Sequence, residues 1–394
     1  MFSLVLIYVA CGITVWWSYS GYMYYLFLYN LFRRLRKPAV ELKALPTIAI
    51  IVPVYNEDEL MAAKLEDLIQ LDYPAEVVRI VVVDASSSDG TIATARRFAA
   101  EHPERSIEVL NSERRGRCHQ INLALRQGPV PDLWVLTDAD TLLERSVLRE
   151  IAAEFARDPR IGVVGAWVEP AGAMTLEQKY WQYQNVLRWM ESNIYSTSIV
   201  VGPCYAFKPG VIDAIPDDCA SDDIHICFAA NARGYMAKYL LGARVKETRT
   251  PATIPAFLNH KFRKGNAYII ELLRFLYLLP TYNIRWKIVY LTKCAQILVM
   301  PFATVFFGLV GVNICFVSVG YFYAVLTTWI FMFLNVLATS LLIRYYYKAQ
   351  CKETVSGEML RSFVLTNLVL ICGLLAYLIY FQDSRPEKVS KEGS

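Results

Sequence analysis

The sequence is short of charged residues. Of its 394 residues 19% are charged, whereas soluble globular domains carry about 25%. Hydrophobic residues make up 55% of the chain, above the ~45–50% of such domains, and this surplus predicts segments that lie in lipid. With 13% aromatic residues, the same composition excludes a disordered chain. The formal net charge of +4 gives no dominant basic field, so nucleic acid is not expected as a partner.

The sequence also lacks paired cysteines, because none of its nine cysteines forms a CxxC motif. Scattered spacing fits neither a disulfide framework nor a zinc ribbon, so the sequence predicts reduced thiols, several of them in lipid. The nine are Cys11, Cys118, Cys204, Cys219, Cys227, Cys294, Cys315, Cys351 and Cys372.

Charge is absent from Phe2 to Phe32, and this predicts a transmembrane helix over residues 1–32. The stretch is longer than the apolar core of about 7–15 residues in a signal peptide, and it lacks the basic start of such a peptide. A linker over residues 33–46 follows and opens with four basic residues in five positions. Because lysine and arginine gather on cytoplasmic flanks, this linker is predicted inside the cell and the N-terminus outside.

Three more transmembrane helices are predicted over residues 288–381, followed by an external tail at 382–394. The stretch Ile288–Ile343 is apolar apart from Lys293 and is long enough for two spans of ~20 residues each, with a break near Gly311–Gly320. The third predicted span is Phe363–Phe381. Basic residues in the segment before it place that segment in the cytoplasm, in agreement with the first span.

Two amphipathic segments, 180–195 and 266–287, are too short or too polar to cross a membrane. They mix tryptophan, tyrosine and leucine with glutamine, glutamate and arginine. Such segments are either ordinary core helices or helices that lie at a membrane interface. The neighbouring spans favour the interface interpretation.

Between residues 47 and 250, short runs rich in β-branched residues alternate with helical segments, which is typical of a parallel α/β domain. The predicted strands are Thr47–Val54, Arg79–Val83, Ile107–Leu110 and Leu133–Thr137. The predicted helices are Glu57–Gln70, Thr91–His102, Cys118–Gln127 and Ser146–Arg157. No GxGxxG follows the first strand and no GxxxxGK[ST] occurs, so dinucleotide enzymes and P-loop NTPases are not supported.

Polar residues follow three of these strands, at the edge where such sheets bind ligands. Tyr55 and Glu57 follow the first strand, Asp84 follows the second, and Asp138 and Asp140 follow the fourth. A single aspartate in this position is usually a turn former or a helix cap. Two carboxylates two residues apart can instead converge on one hard cation, such as Mg²⁺ with its oxygen ligands at ~2.0–2.1 Å, and on the phosphates it holds.

Seven segments carry a family resemblance. They are Ile50–Glu57, Val81–Thr91, Arg114–Asn122, Leu136–Thr141, Val201–Ile212, Ser221–Asp223 and His260–Gly265. In this order they resemble the family 2 glycosyltransferases, which include cellulose, chitin and hyaluronan synthases and many bacterial glycolipid-forming enzymes. The resemblance implies an α/β (Rossmann-like) GT-A catalytic domain over residues 47–265, embedded between transmembrane helices. It places this domain on the cytoplasmic face of a bacterial-type inner or plasma membrane.

The resemblance implies that the donor is a nucleotide-diphosphate sugar, with UDP as the expected nucleotide. Tyr55, Glu57 and Asp84 match positions that hold the base and ribose, with Asp84 accepting from the uracil N–H in members that use uridine. Arg117 stands where many members have lysine, and with Asp138 it is assigned to nucleotide binding.

The same resemblance assigns Asp138 and Asp140 to a divalent cation, Mg²⁺ or Mn²⁺, the second aspartate being the usual ligand. Asp223 matches the catalytic base, and Asp222 replaces the glutamate that usually precedes it. Arg263 matches the arginine that lies over the diphosphate. A divalent cation and an arginine can stabilise the charge that develops on a leaving diphosphate.

The acceptor side departs from the family pattern. His260 replaces a glutamine, and Lys264 replaces the tryptophan that lines the acceptor in polymerising relatives. Cys204 and Tyr205 fall where the acceptor-facing loop is expected, although a core role is favoured for Cys204. Lys261 and Lys264 have a second interpretation, attraction to anionic lipid.

Three classes of function stay open from the sequence. The favoured one is an inverting glycosyltransferase that acts on a membrane-associated glycolipid or lipid-linked glycan, with a processive polysaccharide synthase as the alternative. A transporter is disfavoured, because the predicted spans carry almost no charge beyond Lys293. The third class is a catalytically dead scaffold that keeps the fold.

Overall fold

The computed structural model describes residues 2–32, 42, 44–172, 175–317 and 321–351. The strands are β1 (Ile48–Val54), β2 (Val78–Asp84), β3 (Ser106–Asn111), β4 (Leu133–Thr137), β5 (Thr141–Leu143), β6 (Ile161–Pro170), β7 (Cys204–Phe207) and β8 (Met236–Glu247). The helices are α1 (Phe2–Trp16), α2 (Tyr22–Phe32), α3 (Asp58–Ile69), α4 (Thr91–Glu101), α5 (Arg117–Arg126), α6 (Val147–Arg157), α7 (Thr175–Ile194), α8 (Asp222–Ala232), α9 (Ile254–Phe275), α10 (Ile284–Cys294), α11 (Met300–Val317) and α12 (Phe322–Cys351). Two π-helical turns, Trp17–Gly21 and Ala295–Val299, join α1 to α2 and α10 to α11.

The eight strands form one mixed sheet in the order β3-β2-β1-β4-β7-β6-β8-β5. Strands β1 to β4 pair in parallel, as their apolar runs predict. Strand β7 then runs antiparallel to both β4 and β6, and β8 pairs in parallel with β6. The antiparallel strand β7 makes the sheet a mixed one. The sequence does not predict β5, β6, β7 or β8.

The core of the domain lies at the parallel strands. Every residue of β4 is buried, and β1 is buried at all positions but Pro53. Both strands lie in the interior of the sheet, with another strand on each side. Helix α5 packs against β1 and β2, and α6 and α7 pack against β6 and β8. Strands buried in this way need apolar side chains on both faces, which accounts for their nearly continuous hydrophobic runs.

Three described helices are long and apolar enough to cross a membrane: Phe2–Leu31, Ile284–Val317 and Phe322–Ala349. They correspond to the first three spans predicted from the sequence. Helices α1 and α11 pack together, with the rings of Tyr8 and Phe307 stacked at 4.5 Å. The predicted fourth span at 363–381, the tail at 382–394 and all but four residues of the linker 33–46 lie outside the described residues.

The segment 180–195 lies in α7 and at its C-terminal end, and no side chain in it is more than partly exposed. Its aromatic and apolar residues pack against β6, β8 and α2. The expectation of a helix on a lipid surface is therefore corrected to an interior helix, the other interpretation of this pattern. The segment 266–287 differs, because Leu273, Leu276 and Tyr277 near the end of α9 are exposed. An interface position for that segment stays a prediction.

The carboxylate of Glu191 in α7 connects two of the apolar helices to the domain. It is fully buried and lies 2.9 Å from the ammonium of Lys293 in α10. The hydroxyl of Tyr22 in α2 donates to Oε1 at 2.9 Å, and the backbone N–H of Ser198 donates to Oε2 at 3.2 Å. Lys293, the one charge noted in the predicted spans, is thus paired with a carboxylate of the domain.

We expect Lys293→Met to destabilise the protein by roughly 3–5 kcal/mol, because it leaves the carboxylate of Glu191 buried without its cation. The measurement is thermal and chemical unfolding of the full chain in detergent. The Lys293→Met/Glu191→Gln double variant should recover part of the loss. The control is Lys348→Met, an exposed position in α12 where we expect no change. Equal stability of Lys293→Met and wild type would contradict this account of the junction.

Candidate active site

The site forms where β1, β2 and β4 end and β7 begins. In the parallel register Val54 pairs with Asp84, so the residues that follow β1 and β2 meet at one edge. Strand β7 runs the opposite way, and Thr137 at the end of β4 pairs with Cys204 at the start of β7. This register sets the loop before β7 beside Asp138, whose N–H donates to the carbonyl of Pro203 at 3.3 Å.

Arg117 is the central cation of the site. It is the first residue of α5, directly after Gly116, whose φ of 123° favours glycine. Its guanidinium pairs with Asp138, and its Nε lies 3.0 Å from Asp222 Oδ1. Its Nη2 donates to the carbonyl of Gly202 at 3.2 Å. One side chain therefore joins the end of β4, the loop before β7 and the start of α8.

The two aspartates predicted as catalytic open helix α8. Asp222 is buried and accepts a hydrogen bond of 2.6 Å from the hydroxyl of Tyr205. Asp223 accepts from the hydroxyl of Ser221, the residue before the helix. Both side chains lie in the first turn of α8, where a helix N-terminus interacts favourably with acidic residues.

Gly202 marks the point where the site residues converge. A Cβ placed on Gly202 lies 3.7 Å from Asp138 Oδ2 and 3.9 Å from both Arg117 Nη2 and Asp223 Oδ2. The predicted metal carboxylate, the cation and the predicted base therefore surround one small space. The family resemblance indicated each residue but not this arrangement.

Asp140, the second acid of the D-x-D pair, lies in an acidic part of the site. Burial, Asp138 and Glu57 raise its pKa to about 6, and Arg249 opposes them. The guanidinium of Arg249 pairs with Glu57 at 2.5 Å. Carboxylates that repel each other in a half-buried position have the oxygen donors and excess negative charge that a divalent cation neutralises, so these residues fit such an ion.

The sequence did not indicate the residues of β8 that complete this acidic region. The end of β8 lies beside β5, where Glu247 pairs with Thr141, the residue after Asp140. Burial raises the pKa of Glu247 to about 7, Lys264 opposes that shift, and Asp140 adds to it. The N–H and hydroxyl of Thr248 donate to the carbonyl of Asp140 at 2.8 and 2.7 Å. Only the β5–β8 pairing could have revealed these residues.

The predicted nucleotide residues lie at the same edge. The guanidinium of Arg115 lies 5.0 Å from the ring centroid of Tyr55. Asp84 is fully buried, and its two carboxylate oxygens accept from the N–H and hydroxyl of Ser87 at 2.7 and 2.5 Å. Asp84 thus shapes the loop after β2. Its contact with a base stays a prediction.

Two residues assigned to an acceptor-facing loop belong to a strand. Cys204 and Tyr205 are both buried in β7. Burial raises the pKa of the Cys204 thiol to about 12, which is consistent with the core role favoured from the sequence. Tyr205 contacts the site through the hydrogen bond that its hydroxyl donates to Asp222. The loop assignment is wrong because the antiparallel strand begins one residue after Pro203.

Helix α9 carries the remaining predicted residues, and their surroundings differ. Arg263 is exposed, and among the described residues no ion pair joins it to the site carboxylates. Lys264 is half-buried and faces the charge of Glu247. Nδ1 of His260 is buried with no hydrogen-bond partner in the described structure, and burial and the adjacent lysines lower its pKa to about 2, so His260 is neutral.

Lys261 does not attract a lipid headgroup. Its side chain is 4% exposed and its ammonium lies 2.8 Å from the carboxylate of Glu177 in α7. The same ammonium lies 3.5 Å from the ring centroid of Tyr180. The lipid interpretation is corrected for this residue, because a helix that looks basic in sequence directs this cation into the protein.

Comparisons with known proteins bear on the whole domain. Residues 46–267 match the family model described as "Glycosyltransferase like family 2". An N-acetylglucosaminyltransferase of Rhizobium meliloti (strain 1021) is 26% identical over 242 residues, covering 57% of this chain and 56% of the relative. A poly-beta-1,6-N-acetyl-D-glucosamine synthase of Staphylococcus epidermidis is 23% identical over 151 residues, covering 38% and 35%. The matches with the first two relatives span 56% and 60% of their lengths.

A solved structure shares the fold. The mannosyltransferase of Pyrobaculum calidifontis, solved with GDP-Man and Mn²⁺, superposes with a TM-score of 0.70. The alignment covers 96% of this chain and 100% of that one at 22% identity. At this identity the likeness concerns the fold, and it includes the apolar helices because nearly the whole chain is aligned.

We expect Gly202→Ala to weaken UDP binding in the presence of Mn²⁺ by about ten- to a hundredfold, because the methyl group enters the space between Asp138, Arg117 and Asp223. Its contacts there are ordinary van der Waals distances, so the melting temperature should stay near that of wild type. Calorimetry and thermal unfolding measure the two effects. The control is Gly308→Ala in α11, where a Cβ meets nothing within 4 Å. Unchanged UDP affinity in Gly202→Ala would remove this space from the site.

We expect protonation of Asp140 to make Mn²⁺ affinity depend on pH. Its contribution should raise the affinity as the pH rises to about 6, and the affinity should then level off. Below its raised pKa this carboxyl is protonated, and binding the cation must displace the proton. Calorimetric titrations between pH 5 and 8 test this. Asp140→Ala should bind Mn²⁺ more weakly and lose the step near pH 6. A step that persists in Asp140→Ala would assign the titration to another group.

Proposed function

Because the chain belongs to the family described as glycosyltransferase like family 2, we propose that it moves a sugar from a nucleoside-diphosphate donor to a membrane-associated acceptor with inversion. Family membership establishes that it is a glycosyltransferase, and the fold match establishes the GT-A type of α/β domain expected from the motifs. The donor, the acceptor and the stereochemistry are the proposed parts.

The observation that carries the proposal is the convergence around Gly202. Asp223 and Asp138 both approach this residue, with Arg117 between the two acidic elements. Asp223 accepts the proton of the acceptor hydroxyl while the hydroxyl oxygen bonds to the anomeric carbon and the bond to the diphosphate oxygen breaks. Arg117 provides positive charge beside the leaving diphosphate.

A divalent cation fits the acidic side of this space. Asp138 and Asp140 would hold it, and their mutual repulsion, part of the raised pKa of Asp140, is relieved by a positive ion. When bound, such an ion neutralises charge on the donor diphosphate. The fold neighbour was solved with Mn²⁺, which supports this choice without deciding between Mg²⁺ and Mn²⁺.

We propose N-acetylglucosamine as the sugar, carried by UDP. Relatives at 21–26% identity have the names N-acetylglucosaminyltransferase and poly-N-acetylglucosamine synthase, which supports this sugar. The purified full chain should release UDP from UDP-N-acetylglucosamine with Mn²⁺ and a membrane lipid extract, and more slowly from UDP-glucose. A transporter or an inactive scaffold would release none. Faster release from another nucleotide sugar would replace the donor and keep the reaction.

The proposed acceptor is a lipid-linked hydroxyl, to which the enzyme adds one or a few sugars. Three apolar helices hold the domain at the membrane side, and the exposed apolar end of α9 offers a surface for a lipid acceptor. Lys264 stands where a platform tryptophan would line a growing glycan. We infer from the basic residues that open the linker 33–46 that the catalytic face is cytoplasmic.

A second candidate function is polymer synthesis, which the poly-N-acetylglucosamine synthases among the relatives favour. Chain length decides between the two. Size-exclusion chromatography of radiolabelled product should give short, lipid-extractable species if the acceptor is a lipid. A high-molecular-weight glycan made from UDP-sugar alone would instead establish the synthase.

We expect Asp223→Asn to bind UDP as wild type does but to lose turnover by about 10²–10⁴-fold, because the amide keeps the shape and cannot accept the acceptor's proton. Measurements are UDP release and calorimetric UDP affinity on the same preparation. The control is Asp217→Asn, an exposed aspartate in the preceding loop that pairs with Arg114 at 3.0 Å. Near-normal turnover in Asp223→Asn would exclude this residue as the base.

A further inference from the structure

A second cluster of ligating side chains lies behind the catalytic carboxylates. The thiol of Cys219, the imidazole of His225 and the carboxylate of Glu271 each place one ligand atom within 4.8 Å of the others. His225 and Glu271 are buried, and their Nδ1 and Oε2 atoms are 2.8 Å apart. Sulfur, imidazole nitrogen and carboxylate oxygen are the three donor types that Zn²⁺ accepts in proteins.

The spacing of these atoms suits one tetrahedral ion after a small adjustment. Bonds of ~2.0–2.3 Å to zinc put neighbouring donor atoms roughly 3.3–3.8 Å apart. Because no two ligand atoms are more than 4.8 Å apart, no separation has to close by more than about 1–1.5 Å, while the hydrogen-bonded pair of His225 and Glu271 opens slightly. Cys219 lies in the loop before α8, where such a shift needs no movement of the sheet.

The charges also balance. A thiolate and a carboxylate together neutralise a divalent cation, and a neutral imidazole completes the set. In the protein alone, the hydrogen bond with Cys118, burial and Glu271 all raise the pKa of the Cys219 thiol. Binding of a cation releases the thiol proton to solvent, so the sulfur charge forms only when an ion neutralises it.

Neighbouring groups hold the three candidate ligands in fixed orientations, as the residues around a metal site do for its ligands. The N–H of Ala220 donates to Oε1 of Glu271 at 3.1 Å. Arg274 lies 3.4 Å from Oε2 of the same carboxylate, and its own charge is balanced by Asp218 at 2.9 Å. The ring of Phe275 lies 5.1 Å from the imidazole of His225. Fixed orientation of a ligand raises metal affinity.

A cavity adjoins this cluster at one of its three ligands. It has a volume of about 220 Å³ and is lined by His225 together with Asp213, Arg233 and Phe275. Three protein ligands leave a fourth tetrahedral position, which a water molecule can occupy. The cluster thus has the ligand set and the supporting contacts of a metal site.

We propose that Cys219, His225 and Glu271 bind one zinc ion that ties the loop before α8 to helices α8 and α9. Asp222 and Asp223 follow Cys219 by three and four residues, so the ion holds the catalytic carboxylates in register with α9. This site is separate from the D-x-D pair and does not depend on the proposed donor or acceptor.

The test is metal binding by the purified full chain in detergent, in an Asp140→Ala background that weakens the proposed cation site at the D-x-D pair. After chelation, zinc is added, excess is removed, and bound metal is counted by mass spectrometry. We expect about one zinc ion per chain. Cys219→Ser and Glu271→Gln should each lower zinc affinity at least roughly tenfold, whereas Cys294→Ser should not. Cobalt(II) in place of zinc should give a thiolate charge-transfer band that Cys219→Ser lacks.

Three results would overturn the proposal: no stoichiometric zinc in the parent protein, equal zinc affinity in Cys219→Ser and Cys294→Ser, or a disulfide between Cys118 and Cys219. The Cys118 Sγ lies 3.8 Å from the carbonyl oxygen of Cys219, so peptide mapping without reduction has to check that pair. If Cys219→Ser does not fold by size-exclusion chromatography and circular dichroism, Glu271→Gln and the cobalt spectrum of the parent decide the question.

Discussion

The arrangement of apolar helices and catalytic domain depends on one buried carboxylate. Glu191 is fully buried, and removing a partner from a buried charge costs several kilocalories per mole. Its partners therefore have to stay in place together: Lys293 in α10, Tyr22 in α2 and Ser198 in the loop after α7. Two of these belong to apolar helices and one to the domain. The ion pair thus fixes the domain relative to any membrane that those helices cross.

A short segment, residues 198–202, connects the ion pair of Glu191 to the active site. Ser198, which donates to Glu191, lies four residues before Gly202, where the acids and Arg117 converge. The N–H of Val200 between them donates to the carbonyl of Asp223 at 3.5 Å. Gly165 in β6 allows this close path, because a Cβ there would lie 2.6 Å from the carbonyl oxygen of Val200. The membrane-side ion pair and the catalytic carboxylates are therefore parts of one packed unit.

Much of the first half of the domain could be predicted from the sequence because its structure is local. Parallel strands buried on both faces leave continuous apolar runs, and their crossover helices leave a 3.6-residue period. The second half could not be predicted in this way. Strand β7 has four residues, and β8 is twelve residues long with irregular register against β6. Their pairing depends on distant segments, which leave no periodic signal.

The residues of the site also divide into those that the sequence indicates and those that only the fold reveals. Asp138 and Asp140 were indicated by a local motif, since they directly follow a predicted strand, and Asp223 was indicated by the family resemblance. Glu247 and Arg249 were not, because only the pairing of β8 with β5 brings them beside Asp140.

The cysteines give the clearest instance of that limit. A search for CxxC spacing excludes zinc ribbons, whose ligands lie close together in the chain. It cannot detect a cluster whose imidazole and carboxylate lie 46 residues apart on α8 and α9. Nor does it detect that Cys219 lies just before the catalytic carboxylates. Ligand sets of this kind come from tertiary packing, so the fold had to be known before they could be considered.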